Sequence, residues 1–137
     1  MLKALKIAMI VYAVAGLIVG LAEIFIPSEF ASWFGLEEGS AAANANAVEI
    51  GFAFVSLGVF LIIAARDPIK NILWVKYAIA FAALMLVNEI YSIIVGYVDF
   101  GQVVSGIAIH GVFAIAFLIL YPWRQAKTKN ELADQKK

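Results

Sequence analysis

Residues 84–96 read LMLVNEIYSIIVG, an apolar run interrupted in its middle by Asn88 and Glu89. The flanking sequence is equally apolar, so the Glu89 carboxylate is expected inside a bilayer. An ionisable group at the centre of a membrane helix costs roughly 2.5–3.5 kcal/mol on insertion scales. Such a group is retained where it faces a partner, a cavity or a ligand. The reading of the chain therefore turns on what Glu89 meets.

The rest of the chain fits that environment. Hydrophobic residues make up 64% of the 137, against about 45–50% in soluble domains. One domain of this size has no interior large enough to hide that surface from water. The lipid bilayer is thus the first expected partner. Ten basic and ten acidic residues cancel, so bulk charge implies no nucleic-acid partner. The absence of cysteine removes disulfides, thiolate metal sites and catalytic thiols.

The apolar runs predict an all-α integral membrane four-helix up-down bundle, with spans over about 5–26, 44–65, 72–97 and 103–123. About 20 apolar residues cross a hydrocarbon core of roughly 30 Å. The first run resembles a signal peptide but exceeds the usual h-region of roughly 7–15 residues. No clean small-x-small cleavage site follows that run before Pro27, so a retained span is expected. Gly16 and Gly20 form a GxxxG that permits close helix approach. If span one is an oligomer interface, these glycines are where copies would meet.

Pro27 is expected to stop span one. Ser28 and Glu29 then read as cap and first-turn acid of a short helix over 28–36. Its Phe30, Trp33, Phe34 and Leu36 suit an amphipathic segment in the first extracytoplasmic loop. Alanines 41–43 are a candidate start for span two. Residues 1–124 form the expected transmembrane domain, and 125–137 a polar cytoplasmic tail.

All ten basic residues fall on one side of this topology. Lys3 and Lys6 precede span one, Arg66, Lys70 and Lys76 lie at the second connection, and Arg124, Lys127, Lys129, Lys136 and Lys137 follow span four. The opposite loops hold Glu29, Glu37, Glu38 and Asp99. The positive-inside rule then puts both termini in the cytoplasm, in a cell (inner or plasma) membrane.

Depth follows from the helical rise. Measured from the outer edge, Glu23 lies about 6 Å deep, Glu49 about 8 Å, Glu89 about 10 Å and His110 about 14 Å. One such residue per helix, all in the outer half, predicts a polar site at the bundle centre. Asn88 and Tyr91 flank Glu89 and join Glu23, Glu49, Glu89 and His110 as candidate ligand- or proton-binding residues. A faint echo between Ala22-Glu23-Ile24-Phe25 and Asn88-Glu89-Ile90-Tyr91 is compatible with a duplicated helix pair.

Several chemistries compete for these residue types. Di-iron bundles need paired Glu-x-x-His motifs, and the sequence has none. Bis-imidazole haem ligation needs two histidines, and His110 is the only one. A hydrolase could draw Ser56 or Ser105, His110 and Glu89 together, but no nucleophile elbow supports it. No metal or cofactor and no catalytic residue are assigned. A Glu–His pair that handles a proton or grips a cationic or hydroxylated ligand fits better. The structural alternative is that Glu, Asn and His only tie helices together, at about 0.6 kcal/mol per contact.

The motifs from Glu49 onward also carry a likeness. Glu49-Ile50-Gly51, Arg66-Asp67-Pro68, Asn88-Glu89-Ile90-Tyr91 with Gly96-Tyr97, and Ile109-His110 together resemble the BphX-like family of small four-span bacterial membrane proteins. The likeness covers residues 49–123. It implies four spans and emphasises Glu89 and His110, and it implies no reaction. The expected function is an intramembrane site that binds or moves a small or lipid-like ligand, with proton coupling. The alternative is an accessory subunit of a larger membrane complex. A homo-oligomer is compatible with either.

Overall fold

A computed structural model describes residues 1–36 and 39–123. It is helical throughout: α1 (Leu2–Phe25), α2 (Pro27–Trp33), α3 (Ala41–Ala65), α4 (Ile72–Val95) and α5 (Phe100–Leu120). All but α2 are long and apolar enough to cross a membrane. The shortest of these, α5, has 21 residues, which at about 1.5 Å each matches a core of roughly 30 Å. The chain is an all-α, multi-pass membrane protein built as a four-helix bundle.

Local chemistry sets the boundaries. Ser40 caps α3 by accepting from the Ala43 amide at 3.2 Å, so α3 starts three residues before the expected 44. Gln102 Oε1 accepts the Asp99 amide at 2.8 Å, closing the first turn of α5 and starting it at 100 rather than 103. Gly96 ends α4 in the left-handed region at φ 78°, a conformation glycine adopts without steric cost. Between α3 and α4, Asp67 Oδ1 accepts the Lys70 amide at 3.0 Å and Pro68 is buried.

The short helix departs from expectation. Ile26 is its cap and Pro27 its first residue, because proline's fixed φ suits N1, where no amide hydrogen is needed. Ser28 is freed from capping and instead hydrogen-bonds the Asn44 side chain at 3.0 Å. That contact ties α2 to α3. Glu37, Glu38 and the tail from residue 124 lie outside the described residues.

Helices α1 and α3 pack antiparallel along a seam of glycines. A Cβ on Gly20 would stand 2.6 Å from the Gly51 carbonyl oxygen, one on Gly51 2.7 Å from that of Gly20, and one on Gly58 2.9 Å from that of Ala13. Only hydrogen at these positions lets the backbones approach so closely. Farther along the seam, Lys6 Nζ donates to the Arg66 carbonyl at 2.7 Å. The GxxxG of span one is thus used inside the chain, and is not a free surface for a second copy. Helices α4 and α5 form the other close pair, and α1–α5 and α3–α4 contacts close the bundle.

The apolar core occupies one half of the bundle, the end at which Met1 and Trp123 lie. Leu5, Met9, Leu61, Val75 and Phe117 are fully buried there, with Ala64, Ala78, Ala82 and Ala114 between them. Outward-facing Ile18, Leu84, Ile94 and Ile119 are more than 60% exposed, as expected where lipid tails take the place of water.

Candidate functional site

The other half of the bundle, toward α2 and the α4–α5 turn, contains a cavity of about 310 Å³. Its walls follow from helical periodicity. On α1, Tyr12, Gly16, Val19 and Glu23 line it, at spacings of three to four residues that keep them on one face. Helix α4 contributes Met85 and Glu89, one turn apart, and α5 contributes Gly106 and His110 at the same spacing. Phe54 of α3, Phe30 of α2 and Phe34 just beyond the end of α2 complete a largely apolar wall.

Glu89 and His110 meet. His110 Nδ1 lies 2.7 Å from Glu89 Oε1, and each residue is only 8% exposed. Gly106 makes room for this contact, since a Cβ there would collide with Glu89 Oε1. Below the pair, Tyr12 sets its ring edge-on to the imidazole at a centroid distance of 6.2 Å. The same ring packs on Phe113 and Phe117, so Tyr12 joins the cavity floor to the apolar core.

Three polar oxygens at this site are buried without a hydrogen-bond partner among the described residues: Glu89 Oε2, Glu23 Oε2 and Tyr12 Oη. Leaving such a group unmade costs about 1–3 kcal/mol, more when it is charged. Natural proteins keep few of these, and each calls for an explanation. Among the described residues no Lys or Arg lines the cavity. The arrangement offers carboxyl and phenol oxygens and one imidazole, with the Gln102 amide and the Ser105 hydroxyl at its edge. It can hold a hydrogen-bond donor or a cation, and it can pass a proton between Glu89 and His110.

The remaining sequence candidates lie elsewhere. Asn88, Tyr91 and Glu49 are exposed and do not line the cavity. The reason is rotation about each helix axis at about 100° per residue. Glu89 faces inward, so Asn88 points off to one side and Tyr91, two residues on, to the far side. Gly51 faces α1, so Glu49 points the opposite way. Of the six residues, Glu23, Glu89 and His110 come together around one space. Ser56 is exposed and gives its hydroxyl to the Ala53 carbonyl. Among the described residues no three His, Asp or Glu side chains gather as metal ligands.

Three further residues belong to the site. Tyr12 supplies its floor and Gly106 the space for the pair. Gln102 lines the cavity and donates through Nε2 to the Gly35 carbonyl at 2.8 Å, fastening the loop after α2 to α5. In the sequence, Gly106 stands four residues before His110 and Tyr12 eleven before Glu23. Those spacings are the signal that could have placed them on the same faces. No family model, curated protein or solved structure matches the chain.

Proposed function

We infer that the protein binds a small or lipid-like ligand within the membrane, in the cavity beside Glu89 and His110, with proton exchange at that pair accompanying binding. One observation carries this reading: Glu23 and Glu89 line the same largely apolar cavity, and each keeps a buried carboxylate oxygen without a partner among the described residues. A purely structural polar core would be expected to satisfy its own acceptors. The volume lies at the small end of ligand cavities, which run roughly 300–1,000 Å³.

Orientation comes from charge. With the basic residues cytoplasmic, both termini are inside and the cavity opens its chemistry to the outer half of a cell membrane. Reporter fusions at Gly39 and at the C-terminus test this, and an outward C-terminus would reverse it. The resemblance of residues 49–123 to the BphX-like family rests on the quoted motifs alone and adds no reaction.

The direct test is native mass spectrometry of the full chain released from membranes. Wild type is expected to carry a stoichiometric small molecule, and Val19→Phe, which fills the cavity, to lose it. Equal retention in both would place the molecule elsewhere and end this reading. The accessory-subunit role draws on a separate feature, a lipid-facing groove bordered by Ser56, Phe60, Trp74 and Tyr77. Co-purification of a larger protein in fixed ratio, lost on Trp74→Ala, would favour that role.

A further inference from the structure

We propose that the ligand of this cavity is an apolar amine, its ammonium held by Glu89 and Glu23 and its hydrocarbon part lying against the aromatic wall. This rests on the ligand-site reading and names the chemical class.

The charge inventory comes first. Among the described residues, the ionisable groups lining the cavity are Glu23, Glu89, His110 and Tyr12, with no lysine or arginine. Two carboxyl groups facing one space disfavour an incoming carboxylate or phosphate, and no fixed cation offsets them. Fatty acids and phospholipid headgroups are therefore poor matches. A cation meets the opposite situation.

Donor counting points the same way. His110 occupies Oε1 of Glu89, which leaves Oε2 of Glu89, Oε2 of Glu23 and Oη of Tyr12 open. A primary ammonium carries three N–H donors, whereas a hydroxyl carries one. Glu89 is the anchor, because its side chain is nine-tenths buried, the residue lines the cavity, and its Oε2 has no partner among the described residues.

The wall suits the rest of such a molecule. Phe30, Phe34, Phe54 and Met85 offer an apolar lining, and aromatic faces also attract a cation. At about 310 Å³ the space takes one short chain or a compact ring system, not a two-chain lipid.

The test uses the full chain in neutral-detergent micelles at neutral pH, with octylamine, 1-octanol and octanoate as probes read by calorimetry. Octylamine is expected to bind one to one, at least about tenfold tighter than octanol, with no octanoate binding. Glu89→Gln and Glu23→Gln should each weaken octylamine by about tenfold and leave octanol unchanged. Val19→Phe should abolish both. Octanol or octanoate binding as tightly as octylamine overturns the amine assignment while leaving a ligand cavity. Octylamine binding that is indifferent to both Gln variants also overturns it. Binding of every probe that survives Val19→Phe removes the cavity reading as well, and so does the absence of binding by any probe. Should Glu89→Gln fail to fold, Glu23→Gln carries the comparison alone.

Discussion

At one end of the bundle Leu5, Met9, Leu61, Val75 and Phe117 are fully buried against one another. Toward the other end of the same bundle, Glu23, Glu89 and His110 surround a cavity. Helix α4 changes from Val75, Ala78 and Ala82 in the first region to Met85 and Glu89 in the second. Helix α1 changes from Leu5 and Met9 to Val19 and Glu23. The packed end holds the helices in place, which lets the other end keep unpartnered oxygens that a free-standing polar core would not tolerate.

The largest expected effect breaks the polar end. His110→Ala leaves Glu89 buried without its partner and should cost about 3 kcal/mol. Glu89→Gln should cost less, and the double variant less than the sum of the two. Equilibrium unfolding in mixed micelles gives all four corners of the cycle, and additive corners would mean that the pair contributes no coupling.

Next comes the packed end. Phe117→Ala should cost about 2 kcal/mol, below the roughly 3–5 of soluble cores, because lipid tails are as apolar as the core they replace. Its octylamine affinity should match wild type. A parallel loss of binding would show that the two ends are not separable.

A subtler substitution sharpens the boundary. Gly106→Ala places a methyl where Glu89 Oε1 now sits. The carboxylate is the far end of a flexible side chain, and alanine favours helix by about 1 kcal/mol. Net stability should therefore change by less than about 1 kcal/mol. The Glu89–His110 coupling, measured in this background, should fall close to zero. Retained coupling would mean that the contact does not depend on Gly106.

The smallest effects belong to the residues outside the cavity. Glu49→Gln and Asn88→Ala should each change stability by less than about 0.5 kcal/mol and leave ligand binding alone. A binding defect in either would bring that residue back into the site.

Much of this was legible from residue order. Four apolar runs of the right length, the turn at Arg66-Asp67-Pro68 and the stop at Gly96 depend on neighbours in sequence. The common level of Glu23, Glu89 and His110 follows from counting residues inward from each turn. The echo between Glu23 and Glu89 also has a spatial counterpart, since both line one cavity. Asn88, Tyr91 and Glu49 were drawn into the same site because they share that level.

Residue order alone gave the number of long apolar helices, their approximate lengths and the level of each ionisable residue along them. Rotation of each helix about its axis was decided only in the tertiary structure. In a soluble helix an apolar stripe names the inward face, because water selects against burying the polar one. Here the helices are apolar nearly all round, and lipid accepts Leu84 or Ile94 as readily as the core accepts Val75. Which side faces in was settled by close packing instead. The seam of Gly20, Gly51 and Gly58 fixed α1 against α3, and the Glu89–His110 contact over Gly106 marks how α4 meets α5. That is why Tyr12 and Gln102 reach the cavity while Asn88 and Tyr91 do not.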